Sequence, residues 1–265
     1  MQITIFTSNQ PRHIALIERL ATIGTKVFAV QECNTLFPGE VDDFFKKSPV
    51  MQDYFARVLA AEKAVFGLPR FLPGNVQAMP IKMGDLNRVP IEALDEAMSS
   101  DVVVVFGATF IKPPLIDLLV ARRAINIHMG VSPWYRGSST NFWAMYDRRP
   151  EYVGATIHLL SRGLDSGDVF FHAFPAPQEV DPFEYGMLAV KAAHEGLIDA
   201  LRRGGLQSLA PSRQDKSLQL RYTRNADFTD EVASEYLARL PSPRAMNDEL
   251  NRIDRSPFLR PFTLA

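Results

Sequence analysis

The chain holds one cysteine, Cys33, among 265 residues. No intrachain disulfide can form, and no metal site built on several cysteines. Charge of either sign is not in excess: 29 Lys and Arg against 30 Asp and Glu give −1 at pH 7. That balance lacks the basic footprint of a nucleic-acid or anionic-membrane binder. No apolar run approaches the ~20 residues of a membrane span. The opening MQITIFTSNQPRH has no basic stretch ahead of a long apolar one, so no secretory leader is read there. Cytoplasmic residence is the expectation. Glycine is missing where a dinucleotide site would need it, since SNQPRH (8–13) after the first apolar run has none. What is present is ordinary globular material, 46% apolar and 22% charged. Its length suits one α/β domain with an appendage.

Periodicity organises the first half. ITIFTS (3–8) reads as a buried strand. HIALIERLATIG follows with Ile14, Ile17, Leu20 and Ala21 at helical spacing and stops at Gly24. KVFAVQE (26–32) is the next strand. This βαβ order implies a right-handed crossover into a parallel sheet. Residues 40–66 look helical, split by Pro49. AMPIKM (78–83) is a weak strand whose proline suits an edge. IEALDEAMSS reads as a helix, and VVVVFGA (102–108) as a strand buried on both faces. PPLIDLLVARR is a helix opened by proline, and AINIH (124–128) the following strand. Later, VGATIHLL (153–160) and DVFFHAF (168–174) are strands joined through SRGLDSG. A helix is expected over 183–201 and another over FTDEVASEYLARL, with Thr229 as N-cap. SPFLRPFTLA reads as extended. The expected fold is α/β: a doubly wound, mostly parallel Rossmann-like sheet with helices on both faces, plus a small C-terminal appendage. The expected division is a catalytic domain over 1–204 and an extension over 205–265.

Sheets of this kind bind ligands at the carboxyl ends of their strands. Asn126 and His128 end one such strand, two residues apart and so on one face. An amide donor beside an imidazole can polarise a carbonyl and stabilise an oxyanion. On spacing alone, a turn-capping Asn126 and a hydrogen-bonded structural His128 are the simpler account. Asp168 reads as a turn and strand start, His158 and His172 as packed or edge strand histidines, and His13 and His194 as structural or exposed helix residues. None of these histidines shows metal-ligand spacing with His128. Arg12 or His13 either begins a helix or meets an acceptor's phosphate.

The run from Asn126 to Asp168 changes that balance. In order it holds Asn126 and His128, Ser132–Pro133, Tyr135–Arg136–Gly137, Trp143–Ala144, Gly154 to His158, and Leu164–Asp165–Ser166–Gly167. This resembles the catalytic core of the folate-dependent formyltransferase family over about 45 residues. That family includes glycinamide ribonucleotide, methionyl-tRNA and nucleotide-sugar formyltransferases. The resemblance implies 10-formyltetrahydrofolate as co-substrate. It implies that Asn126 and His128 hold the formyl oxygen, and that Asp165 pairs with His128, favours its charged form and helps move a proton through water. A neutral primary amine then attacks directly, with no covalent enzyme intermediate. It also maps the pterin of the folate to backbone groups near Phe110, Ile111 and Lys112, and near Arg162, Gly163 and Leu164. The sequence departs from the family's Pro-Ser-Leu-Leu-Pro after the histidine. Gly130 stands there, and is expected to make the turn more permissive on the acceptor side.

The acceptor is read from the last 61 residues. Nine Lys and Arg against eight Asp and Glu leave residues 205–265 at +1. That is a poor footprint for RNA, and the segment is shorter and more helical than the tRNA-binding barrel of relatives. LRYTRNADFTDEVASEYL is loosely similar to the tail of several nucleotide-sugar N-formyltransferases. The expected acceptor is therefore a nucleotide-linked amino sugar. A methionyl-tRNA formyltransferase-like enzyme and a formyltetrahydrofolate hydrolase are the alternatives. No nucleic acid, membrane or metal is expected as partner. Family relatives are often dimers, and Phe258 and Phe262 could pack on a neighbour in a homodimer or on their own domain.

Overall fold

The computed structural model describes residues 1–33, 47–68, 70–204 and 206–264. β1 (Gln2–Ser8), α1 (Pro11–Ala21) and β2 (Lys26–Cys33) form the expected unit, with Ile3 opposite Val27 in parallel register. α2 (Pro49–Phe66) begins at Pro49, where Ser48 Oγ accepts from the Met51 N–H at 3.3 Å. The break expected at Pro49 is where this helix begins, with proline in its first turn. The 40–46 part of the expected helix lies outside the described residues. β3 (Val76–Lys82) carries Pro80 and takes the sheet's edge. The expected helix at 91–100 shrinks to a 3₁₀ turn and the single-turn α3 (Asp95–Met98). β4 (Val102–Val105), α4 (Leu115–Ala121) and β5 (Ile125–Met129) follow. The second half runs β6 (Tyr135–Gly137), α5 (Thr140–Tyr146), β7 (Ala155–Leu159), β8 (Val169–Pro175), α6 (Pro182–Arg202), β9 (Arg221–Thr223), α7 (Asp230–Ala238), α8 (Pro243–Leu250) and β10 (Phe262–Leu264).

Eight strands make one sheet in the order β10-β8-β7-β5-β4-β1-β2-β3. Only β7 runs against its neighbours. The order doubles back between β1 and β4, which opens a crevice at the strands' carboxyl ends. On one face Ile3, Ile5, Ile125 and Ile127 pack with Leu16 and Leu20 of α1 and Leu197 of α6. On the other, Phe6, Val103 and Val105 pack under Leu115 and Leu119 of α4. Burial on both faces explains why these strands read as unbroken apolar runs. At ~25 cal/mol per Å² of apolar surface, these two layers are the fold's main stabilising term.

A third cluster joins Tyr54, Phe142, Trp143, Tyr185 and Tyr236 to Met246 and Leu250 of α8. Ser242 caps α8, accepting from the Ala245 N–H at 3.2 Å. β10 pairs with β8, Phe262 opposite Ala173, and Phe258 is buried against Val131 and Phe174. Both phenylalanines thus contact the chain's own sheet and core, Phe262 staying partly exposed. No helix among the described residues is long and apolar enough to cross a membrane.

Candidate active site

β5 is locked between β4 and β7, with Val105 opposite Asn126 on one side and Ile127 opposite Ile157 on the other. This register fixes Asn126 and His128 at the sheet's carboxyl edge. Past the strand, Gly130 has φ +133°. A Cβ there would collide with Thr140 Oγ1 and come within 3.2 Å of His128 Nε2. The turn takes the positive φ that glycine permits, and Thr140 at the start of α5 leaves a side chain no room.

Asp165 stands in the β7–β8 loop with φ +46°, its carboxylate almost fully buried. Its Oδ1 lies 3.3 Å from His128 Nδ1. Burial works to raise the Asp165 pKa, but the His128 imidazole and its hydrogen bond, His158 and the Gly137 N–H outweigh it. The carboxyl is held below its ordinary value. His128 Nε2 makes only a 3.4 Å approach to the Tyr135 carbonyl. Such a contact is weak enough for a substrate oxygen to replace it. Directly across the sheet from Asn126 lies His158, 1% exposed, with its Nε2 3.0 Å from Asn126 Nδ2 and its Nδ1 2.8 Å from the Leu159 carbonyl. Burial first, against Asp165 and the Leu159 bond, takes the His158 pKa down to about 4.

The loop that carries Asp165 is braced from outside. Gln214 Nε2 donates to the carbonyls of Asp165 (2.9 Å) and Gly167 (2.7 Å). Arg136 Nη2 donates to the Leu164 carbonyl at 2.7 Å, and Arg162 Nε to Asp117 at 2.8 Å. Arg221 of β9 reaches Asp147 at 2.7 Å and stacks on Trp143, and Asp147 also accepts from the Tyr135 hydroxyl.

The positions mapped to the pterin fall into two neighbouring loops. Phe110 is 58% exposed, Ile111 is buried under α4, and Lys112 is exposed. Asn87 already occupies the Phe110 carbonyl (2.9 Å) and the Lys112 N–H (2.7 Å). The Gly163 carbonyl accepts from Ser161, and the Leu164 side chain is exposed. Of the remaining candidates, Arg12 pairs at 2.7 Å with Glu62, itself 1% exposed. His13 and His194 are buried, and burial with nearby Arg12 lowers both pKa values, His194 to about 3. His172 donates from Nε2 to the Ser132 carbonyl and accepts the Leu259 N–H at Nδ1. Burial brings it to about 4. Asp168 is exposed at the start of β8.

Residues 86–201 match the formyl transferase family model. This segment is similar to the formyl transferase family. A methionyl-tRNA formyltransferase of Synechococcus sp. is 28% identical over 152 residues, covering 57% of this chain and 44% of the relative. The chain spans about half the length of the curated relatives it matches. Among solved structures, a sugar N-formyltransferase from Shewanella sp. aligns with TM-score 0.52 at 16% identity, over 86% of this chain and 78% of that one. An N-formyltransferase from Helicobacter canadensis, solved with folinic acid and dTDP-3-aminofucose, gives 0.52 at 13%, over 88% and 78%. These two likenesses are of fold. The matched segment contains Asn126, His128 and Asp165, while Gln214 lies beyond it. Two contacts of the arrangement escape sequence reading. His158 is 32 positions from Asn126 and meets it only through strand pairing, and Gln214 is 49 from Asp165.

Proposed function

We propose that the chain transfers the formyl group of 10-formyltetrahydrofolate to a primary amine, with a nucleotide-linked amino sugar as acceptor. The observation that carries this reading is the convergence of the Asn126 amide, the His128 imidazole and the buried Asp165 carboxylate at one strand end. Asn126 Nδ2–H and, in the doubly protonated ring, His128 Nε2–H donate to the formyl oxygen and stabilise the oxyanion that forms as the amine adds. Asp165 orients the imidazole through Nδ1. The proton lost by the amine passes through water to N10 of the folate, the carbon–N10 bond breaks, and tetrahydrofolate leaves. The exposed Phe110 and Leu164 offer apolar surface beside the loops that flank the site.

A cavity of about 300 Å³ begins one residue past His128, at Met129, and is lined by Tyr54, Phe142, Phe183 and Tyr236 together with Thr140 and Arg12. Aromatic walls with a few polar groups suit a small ring-bearing acceptor. The +1 balance over 205–265 supports the same choice over tRNA. The sequence likeness to methionyl-tRNA formyltransferases favours a second reading, in which the amine is that of methionyl-tRNA. Supplying 10-formyltetrahydrofolate with either dTDP-3-aminofucose or methionyl initiator tRNA separates them. Tetrahydrofolate release that needs the amino sugar is the expected outcome. Release with the tRNA at physiological salt establishes the second reading, and release with neither acceptor present establishes hydrolysis.

A further inference from the structure

The β5–β7 pairing that sets Asn126 opposite His158 has a consequence for which way the Asn126 carboxamide faces. The Leu159 carbonyl can only accept, so His158 must carry its proton on Nδ1, 2.8 Å away. A neutral imidazole protonated at Nδ1 presents a bare lone pair at Nε2. The Asn126 side chain lies 3.0 Å from that lone pair and can satisfy it only with Nδ2–H, never with Oδ1. One amide hydrogen is thereby committed, the carboxamide plane is set, and the second Nδ2–H is left to point elsewhere. We infer that His158 is a positioning residue that orients the Asn126 amide so that its remaining N–H meets the formyl oxygen, an inference resting on the formyl-transfer reading of this site.

Several features hold this arrangement together. His158 is 1% exposed, and desolvation keeps it uncharged at neutral pH. A protonated ring would place an N–H at Nε2 and drive the amide to turn over, so that Oδ1 faced the ring. Gly167 packs against the same corner. A Cβ on it would collide with the Leu159 carbonyl and stand 3.2 Å from His158 Nδ1. The carbonyl that sets the tautomer is thus itself held in place by the absence of a side chain at Gly167.

The first test is independent of catalysis. ¹⁵N NMR of the full chain labelled at histidine should show His158 as the Nδ1–H tautomer at pH 7, with its Nε2 resonance moving in Asn126→Ala. An Nε2–H tautomer, or a charged ring at pH 7, overturns the inference. The second test uses tetrahydrofolate release from 10-formyltetrahydrofolate with dTDP-3-aminofucose. His158→Leu should lower kcat by up to about 100-fold, the usual cost of a misplaced catalytic group, with little change in KM for the folate. His158→Gln, which can still accept a hydrogen bond, should recover part of the loss. Adding His158→Leu to Asn126→Ala should cost nothing further, since the first acts only through the second. A His158→Leu variant as fast as wild type, or one whose loss multiplies with that of Asn126→Ala, contradicts the positioning role. Failure of wild type to bind folinic acid contradicts the formyl-transfer reading instead, and leaves the tautomer result standing by itself.

Discussion

Of the three side chains assigned to the chemistry, His128 and Asp165 are expected to act as one unit. His128→Asn keeps a donor but loses the ring, and Asp165→Asn keeps the shape but loses the charge. Each should cut turnover by about 100- to 1,000-fold while folate affinity changes little, the loss expected for one oxyanion donor. The double variant should be no worse than the weaker single one, because Asp165 acts through the 3.3 Å contact to His128. Comparing single-turnover rates and melting temperatures on the same samples checks this. Rates within about tenfold of wild type in both singles contradict the assignment. At Gly167 the expected effect is steric. Gly167→Ala forces the Leu159 carbonyl aside and should destabilise by about 1–3 kcal/mol, read by urea denaturation. The grouping of Asn126, His128 and Asp165 was legible in the sequence because a strand end and a nearby loop keep them within a short, ordered motif. His158 was taken for a packed strand histidine, and it is packed. What sequence could not supply is the antiparallel register that sets it against Asn126.

Short segments late in the chain finish elements laid down early. β9 pairs with β6, and Gly137 lies so close to the Thr223 carbonyl that no side chain fits there. Gln214, just before this strand, ties down two carbonyls of the Asp165 loop. Gln214→Ala should therefore lower kcat by about 10- to 100-fold with a melting temperature close to wild type. An unchanged kcat would show that the loop holds Asp165 without it. The alternation of strands and helices through β5 was legible because apolar runs buried on both faces announce themselves. α8 was missed because PRAMNDEL carries only Met246 and Leu250 as core residues, four apart. β10 was read simply as an extended tail because its three residues become a strand only on meeting β8. The expected helix at 91–100 failed because tertiary packing of Leu94 and Met98 tolerates a tighter 3₁₀ turn.

For the whole molecule, the buried histidines set the response to acid. Unfolded, each titrates near 6.5, whereas His158 and His172 are held at about 4 and His194 at about 3, chiefly by burial. Between those values the unfolded chain binds more protons. Stability should be full above about pH 6.5 and fall toward pH 4, each histidine adding up to about 1.4 kcal/mol per pH unit. Calorimetry from pH 7.5 to 4.5 should show a steadily falling melting temperature. A flat profile down to pH 5 would mean that these rings are solvated. The proposed function rests on the strand-end donors at the carboxyl edge of the sheet, and its central claim is that the chain takes a formyl folate as co-substrate. Titrating folinic acid into the full chain by calorimetry tests that most directly, because it needs no acceptor. The expected result is saturable binding of one folate per chain, retained in Asp165→Asn, with a higher melting temperature at saturation. No heat of binding and no shift in melting temperature, in protein shown to be folded, would contradict it.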